Sequence, residues 1–461
     1  MTMAAAYFDN GISHHAMFEL FVRSLPKRRS YLIAAGIEQA LDYLKSLRFN
    51  ADEIDYIREH PVFKHVSREF FDYLLDFRFT GDVWAVPEGT AVFAHEPILK
   101  ISAPVIEAQI VETFLLSTIN FQTMIASKAA RVVTAAGGRN CIEFGTRRAH
   151  GSEAGLMAAR AAYIAGCVGT SNVEAGFLFG IPTMGTLAHS FIMLFDNEDD
   201  AFKSYLKVFP ETATILVDTY DTLAAVERLA TNFPQTIQGI RLDSGDLAEL
   251  SIRAREILDR EGKTSTKIFA SSDLDEYRIS EIIAQGAQID AFGVGTQMAT
   301  SYDTPAISGV YKLVGIEKDG KISLRMKLSY DKVTLPGMKQ LWRKSDNNGR
   351  YVEDVIALAE EEPPEMDGSW QSLLEPVMQS GEMTGDYATL DKGSAKVDRK
   401  ARFDLLNRAR ARALEELRRM PEELLALETL SKYPVRLSDK LSSERDRLLK
   451  EKTVRPEGDA K

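Results

Sequence analysis

The sequence predicts an α/β protein: a (β/α) barrel, incomplete, preceded by an N-terminal α/β domain and followed by an antiparallel strand return near the C-terminus. Three observations carry this reading. From Cys141 to about Gly295, short apolar runs alternate with amphipathic helical stretches at the spacing of a parallel sheet. Polar residues collect where those runs end, which is where parallel α/β folds bind their ligands. On either side the pattern changes to short strands broken by turns such as Pro87-Glu88-Gly89 and Asn347-Asn348-Gly349. Regular spacing favours a barrel, and an open sheet is the alternative.

Taken in order, residues 1 to about 80 combine strand-like Ala16–Val22 and Ser30–Ala34 with amphipathic helices at Ile37–Arg48, Ala51–His60 and Lys64–Phe77. Short strands fill Gly81 to Ala103, and Pro97 interrupts Phe93–Ile101. Ala103-Pro104 then launches a helix rich in Leu, Ile and Ala, from Val105 to about Ala136. The barrel strands are expected at Cys141–Phe144, Cys167–Thr170, Ile181–Leu187, Thr214–Val217, Gly239–Leu242, Lys267–Ala270 and Ile289–Phe292, roughly seven βα steps. Between them, Glu153–Ala165, Thr222–Thr231, Asp246–Arg260 and Leu274–Ala284 have helical periodicity, the first with Ser152 as cap and Gly166 as stop. Beyond Ser308, Gly309–Ile316, Lys321–Leu328 and Lys339–Arg343 read as antiparallel strands that return to pair with the 81–103 segment. From Lys396 a charged helix presents Phe403, Leu406, Leu414 and Leu417 as one apolar face. Asp398, Asp404, Glu415 and Glu416 interleave its arginines, so a helix covering the domain is expected rather than an RNA- or membrane-binding one. The expected domain boundaries are 1–105, 106–305 and 306–461.

Composition narrows the function. The 461 residues are 45% hydrophobic and 27% charged, with a formal net charge of -11. Such a surface repels polyanions, so neither nucleic acid nor an anionic membrane is an expected partner. The two cysteines, Cys141 and Cys167, have no metal-ligand spacing and fit a reducing compartment. With neither a signal peptide nor an uninterrupted apolar span, a soluble cytoplasmic protein is expected.

Four motifs could carry chemistry. Glu143-Phe144-Gly145-Thr146-Arg147-Arg148 ends a strand with an aromatic ring that can stack a flat ligand and arginines that can hold a carboxylate or phosphate in a fork. The competing reading is a core phenylalanine beside surface arginines. In Ile240-Arg241-Leu242-Asp243-Ser244-Gly245-Asp246, Arg241 and Asp243 project to the same side of a strand, where charge is costly unless used or paired. Asp243 and Asp246 could meet hydrated magnesium or sugar hydroxyls, although Asp246 also suits a helix cap. Ala270-Ser271-Ser272-Asp273 and Asp290-Ala291-Phe292-Gly293-Val294-Gly295-Thr296 could cradle a phosphate on backbone amides. The second lacks the third glycine of a dinucleotide fingerprint, and no Walker motif occurs. His189, with Ser190 at the same expected strand end, could act as a base or as a nucleophile toward a phosphoryl donor.

Together and in this order, EFGTRRAHG, GTSNVEAG, GTLAHSF, LVDTYDT, IRLDSGDL, FASSDLDE and DAFGVGT resemble the nicotinate phosphoribosyltransferase family, from about Phe18 to near Ser329, with a weaker echo at Tyr433-Pro434-Val435. The resemblance implies an irregular α/β barrel and a homodimer with its active site at the subunit interface. It implies transfer of phosphoribose from 5-phosphoribosyl 1-diphosphate to nicotinate, with magnesium and with ATP as co-substrate through a phosphohistidine, in NAD biosynthesis. It makes His189 the phosphorylated histidine, Arg147 and Arg241 contacts to ring substituents and phosphates, and Phe144 one face of the ring sandwich. Asp243 would meet the ribose hydroxyls, and Gly293, Gly295 and Thr296 would cradle the 5-phosphate. Lys312 and Lys327 match phosphate-binding positions, Asp218 a place near the diphosphate and magnesium, and no direct protein ligand to a metal is assigned. Ser171 stands where nicotinamide-using relatives carry an aspartate, which points to nicotinate. The family's ring-stacking tyrosine, supplied by the partner subunit, would fall two residues before Met1, so Tyr7 does not inherit its role. Alternatives are a nicotinamide- or quinolinate-using transferase, or a catalytically weakened nucleotide-binding regulator.

Overall fold

The computed structural model describes residues 1–233, 237–328, 333–390, 399–428 and 431–453. Ser329, Lys396 and Asp398, named above, lie outside them. The described chain forms two compact units: residues 1–123, 306–401 and 415–461 make the first, and residues 124–305 and 402–414 the second.

In the first unit, His15–Val22 is buried along nearly its whole length, as an apolar run central to a sheet should be. It pairs antiparallel with Gly309–Lys318 on one side and Pro97–Pro104 on the other, inside a seven-stranded sheet. The return beyond Ser308 therefore docks on this strand rather than on the 81–103 segment. Asp82–Ala85 is met instead by Glu375–Gln379. Lys339–Ser345 belongs to a separate four-stranded sheet with Trp370–Ser372, Tyr351–Leu358 and Val435–Leu437. The helices Ile37–Ser46, Ala51–Glu59 and Arg68–Leu75 lie where the apolar periodicity predicts them. Asn50 and Glu53 close a reciprocal capping box at the second. The long helix expected from Val105 is interrupted at Val111 into Val105–Ile110 and Glu112–Ala135.

Arg343 holds this unit's interior. Its side chain is 1% exposed, and it donates to both oxygens of Asp354 at 2.6–3.1 Å, to Glu416 at 2.7 Å and to the Ala91 carbonyl at 2.8 Å. The Tyr433 and Tyr351 hydroxyls complete the two carboxylates at 2.9 and 2.8 Å. Arg343→Met leaves those carboxylates buried without their cation, and the expected loss of stability is about 3–5 kcal/mol, measured by denaturant unfolding.

A second buried cation gives a pH-dependent term. Lys100 is 4% exposed, and burial, opposed by Glu19 and reinforced by Lys339, pushes its ammonium down to about 8 from 10.5. The unfolded chain keeps that proton up to about 10.5 while the folded chain releases it near 8, so unfolding free energy rises with pH across this window, by up to about 3 kcal/mol. Lys100→Met is expected to remove that rise, read as the difference in stability between pH 8 and pH 10.5 for the two proteins.

The second unit is built on a six-stranded parallel sheet in the order Gly169–Thr170, Asn140–Glu143, Ala291–Val294, Lys267–Ala270, Gly239–Leu242, Thr214–Leu216. These are the expected strands, several displaced by one or two residues. The exception is Ile181–Leu187, which is not a strand. Only Thr183 forms a bridge, to Thr170, with Thr170 N–H donating to the Pro182 carbonyl and Met184 N–H to Thr170. Pro182 has no amide to give a ladder, and Gly180 turns the chain just before it with φ +74°. At its far end, Leu187 N–H reaches the Thr214 carbonyl at 3.4 Å, so the segment runs from one edge strand of the sheet to the other. Residues 402–414 of the charged helix cover this unit, as its apolar face predicts. Arg410 caps the carbonyls of Gly166 and Cys167, and Phe403 packs where a Cβ on Gly180 would stand 2.9 Å away. Among the described residues no helix is long and apolar enough to cross a membrane.

Candidate active site

The carboxyl ends of the parallel strands converge on Arg241. It lies on Gly239–Leu242 with Asp243 just beyond, two apart and on one side of the strand as their spacing requires. Its guanidinium donates from Nε to Ser271 Oγ at 2.7 Å, from Nη1 to Thr186 Oγ1 at 2.7 Å and from Nη2 to Asp243 Oδ1 at 2.6 Å. One cation thus ties the 181–188 segment and the loop after Lys267–Ala270 to its own strand end. Burial would raise the Asp243 carboxyl, but the Ser271 hydroxyl and the Arg241 guanidinium, with His189 nearby, hold it below the usual carboxylate range. It is a carboxylate at neutral pH.

His189 begins the short helix His189–Ile192, not a strand end, and Ser190 beside it is exposed. Imidazole Nδ1 is hydrogen-bonded to Thr219 Oγ1 at 3.1 Å, which leaves Nε2 facing Asp243 Oδ2 at 3.8 Å. Asp218 lies behind, its Oδ2 accepting from the Asp243 amide at 3.0 Å and from Ser244 Oγ at 2.5 Å. Asp218 Oδ1 is buried and has no hydrogen-bond partner among the described residues.

Phe144 forms the floor. The Arg241 guanidinium carbon stands 5.9 Å from its ring centre, and a Cβ on Gly293 would come within 2.6 Å of the ring, so only glycine lets the phenyl lie against that strand. Next to it, fully buried Glu143 accepts from the Gly145 amide and from Thr170 Oγ1, the latter at 2.6 Å. Burial raises this carboxyl above its ordinary range, with those two bonds opposing. The Ser171 amide donates to the Glu143 carbonyl at 2.9 Å, which fixes Ser171 beside the Phe144 turn.

Of the residues singled out in the sequence, Phe144, Arg147, Ser171, Arg241, Asp243, Gly293, Gly295 and Thr296 line one cavity of about 440 Å³. Arg147, Arg148 and Arg241 against Asp243 and Asp273 give its lining an excess of cationic groups, which suits a polyanionic ligand. His189, Ser190 and Asp218 are not in that lining; His189 and Asp218 adjoin it through Asp243. Lys312, on Gly309–Lys318, and Lys327, exposed beyond Lys321–Leu324, belong to the first unit. Among the described residues, no group of three or more His, Cys, Asp or Glu gathers to hold a metal ion.

Comparison with known proteins supplies the family. Residues 1–120 match the N-terminal domain of nicotinate phosphoribosyltransferase, 139–332 the nicotinate phosphoribosyltransferase family itself, and 338–445 its C-terminal domain. A nicotinate phosphoribosyltransferase of Mycobacterium tuberculosis is 43% identical over 457 residues, covering 97% of this chain and 92% of its own. The chain belongs to the nicotinate phosphoribosyltransferase family. A Bacillus subtilis nicotinate phosphoribosyltransferase is 45% identical over 372 residues, 78% of this chain and 75% of that one. The crystal structure of human nicotinic acid phosphoribosyltransferase superposes with a TM-score of 0.81 at 26% identity, covering 97% of this chain and 98% of that one.

Nicotinate phosphoribosyltransferase motifs thus account for most of the cavity. Sequence reasoning did not single out Thr186 and Thr219, whose hydroxyls hold Arg241 and His189. Both are common small polar residues in segments without regular structure, and only the fold brings them to their partners. Ser271 and Asp273 were visible as a motif after a strand, but the bond of Ser271 to Arg241 was not.

Proposed function

We propose that this chain joins nicotinate to 5-phosphoribosyl 1-diphosphate, giving nicotinate mononucleotide and diphosphate for NAD biosynthesis. The observation that carries the reading is the convergence of Arg241 on Thr186, Ser271 and Asp243 above the Phe144 ring, in a cavity with excess cationic lining. The pyridine nitrogen bonds to the ribose C1 as the bond from C1 to the diphosphate oxygen breaks, and the electron pair leaves with the diphosphate. Phe144 stacks the pyridine, and Arg147 and Ser171 receive its carboxylate. Asp243 meets the ribose hydroxyls and its negative charge favours the oxocarbenium-like transition state. Gly293, Gly295 and Thr296 hold the 5-phosphate.

Magnesium fits this site as a hydrated ion rather than as one caged by protein. The buried, unpartnered Asp218 Oδ1 would accept a hydrogen bond from its water shell. When bound, magnesium would neutralise charge on the departing diphosphate.

His189 would carry the phosphoryl group from ATP on Nε2, a reading supported by the Thr219 bond that occupies Nδ1. Nε2 faces Asp243 Oδ2 at 3.8 Å, and a phosphohistidine there would add negative charge beside the diphosphate site. We also propose that the six strands and the 181–188 segment form an irregular barrel, supported by that segment's hydrogen bonds to Thr170 and Thr214. A homodimer is supported by exposed apolar side chains on the second unit, Val173, Phe177, Met193 and Leu194 at 56–80% exposure. A cytoplasmic setting is supported by two buried, unpaired cysteines.

The experiment is nicotinate mononucleotide formation with and without ATP, for the wild type and His189→Ala. ATP is expected to raise the wild-type yield and to leave the variant at its ATP-free level. An ATP effect retained in His189→Ala would overturn the phosphohistidine assignment.

A further inference from the structure

Helix Glu112–Ala135 carries a buried cation that the reaction does not touch. The Lys128 side chain is 0% exposed, and its ammonium bridges two carboxylates: Glu276 Oε2 at 2.5 Å, also 0% exposed, and Asp303 Oδ1 at 2.9 Å. Arg131, one turn further on and 2% exposed, donates from Nε to the other Glu276 oxygen at 3.0 Å and from Nη2 to the Tyr277 hydroxyl at 3.0 Å. Lys128, Arg131 and Glu276 are thus paired out of reach of water, while the Asp303 side chain, 22% exposed, closes the outer side of the bridge.

The carboxylates lie just after the two segments that form much of the cavity wall, Glu276 as the first residue of helix Glu276–Ala284. Glu276 follows the loop bearing Ser271, Ser272 and Asp273, and Asp303 follows the turn bearing Gly293, Gly295 and Thr296. Both loops contain non-glycine residues in the left-handed region: Ser272 at φ +112° and Asp273 at +22° in the first, Ser301 at +42° in the second. Such backbone persists only where the surroundings hold it. Short-range bonds secure part of each loop, Ser271 through Arg241 and Ser301 through its amide to Met298. Lys128 joins one to the other through Glu276 and Asp303.

We propose that Lys128 is a positioning residue, which sets the separation of the 271–276 and 293–303 loops and thereby the fit of the cavity to the phosphoribosyl diphosphate. This rests on the reading that the cavity binds that substrate. A bidentate bridge within a rigid helix fixes both loops to one frame, and displacements of about 1 Å at a reacting centre can cost on the order of 100-fold in rate.

The test uses the full chain with Lys128→Met, Lys128→Arg and Asp303→Asn. Lys128→Met takes one cation from the buried Glu276, leaving Arg131 beside it, and can fail to fold. Asp303→Asn removes the charge from one arm and leaves Lys128, Arg131 and Glu276 paired, so it decides the matter in that case. For each folded variant, steady-state kinetics and amide hydrogen exchange at 271–276 and 293–304 are measured.

The expected result is a KM for phosphoribosyl diphosphate raised about tenfold or more in Lys128→Met and Asp303→Asn, with the KM for nicotinate changed less. Exchange would be faster in the 293–304 segment, and Lys128→Arg would recover part of both. A merely structural lysine would lower thermal stability without this split between substrates. Unchanged exchange and unchanged KM in folded Asp303→Asn would overturn the proposal. Should the wild type show no turnover, the substrate reading fails, and the exchange data alone still decide whether Lys128 holds the loops.

Discussion

Asp243→Asn is expected to lower kcat/KM for nicotinate by about 100- to 1,000-fold while leaving the fold intact. Asparagine keeps the shape of the side chain but removes the charge on which the local arrangement depends. Asp243 accepts from Arg241 and from Ser271 on Oδ1, and it faces His189 on Oδ2. The loss has two parts. On the proposed role of Asp243, the developing positive charge on ribose would no longer meet a carboxylate, and Arg241 would give up its ionic partner while keeping Thr186 and Ser271. Since Asp243 is part-exposed at 28%, Arg241 remains solvated enough that stability should fall only slightly. Equal thermal melting with a collapsed kcat/KM is therefore the diagnostic pair.

The pH profile adds a sign. Asp243 titrates below the ordinary carboxylate range in the folded chain, so its protonation does not shape activity between pH 5 and 8. Retained wild-type kcat/KM in Asp243→Asn would remove this residue from the reacting centre.

Ser171→Asp is expected to reduce nicotinate use by on the order of 100-fold and to favour nicotinamide relative to nicotinate. Two unit charges 4 Å apart interact by about 4 kcal/mol at an effective dielectric of 20, and the open mouth of the cavity screens this to roughly 2–3 kcal/mol. The backbone should not respond, because the Ser171 amide is fixed to the Glu143 carbonyl and the neighbouring Thr170 hydroxyl to the Glu143 carboxylate. What changes is the charge presented to the ring substituent: a carboxylate is repelled, while an amide can donate to the new aspartate. Steady-state kinetics with both bases would read the ratio directly. An unaltered preference would mean that Ser171 does not face the substituent.

The same residues explain how much was legible beforehand. Gly239–Leu242 and Lys267–Ala270 appear at the expected residues because each is a short apolar run buried in a parallel sheet and bounded by turn signals. Arg241 and Asp243 stood out because charge at the end of such a run is costly unless used. Ile181–Leu187 failed because apolar composition alone does not make a strand: Pro182 cannot donate, and the segment makes isolated bonds at its two ends instead of a ladder. This also moved His189 from a strand end to the first turn of a short helix, without removing it from Asp243.

The break at Val111 has no counterpart in the sequence. The pairing of Gly309–Lys318 with His15–Val22 rather than with 81–103 was open because several apolar strands could serve as the partner, and local pattern does not rank non-local pairings. Lys128 was invisible for the opposite reason. A lysine within a helical run reads as surface until the fold closes over it beside Glu276 and Asp303.

The most direct test of the central claim is product formation by the purified chain from 5-phosphoribosyl 1-diphosphate and magnesium with nicotinate, nicotinamide or quinolinate, resolved by chromatography. The predicted result is nicotinate mononucleotide from nicotinate, with little product from the other two bases. Preferential turnover of nicotinamide or quinolinate, or none with any base, would contradict it.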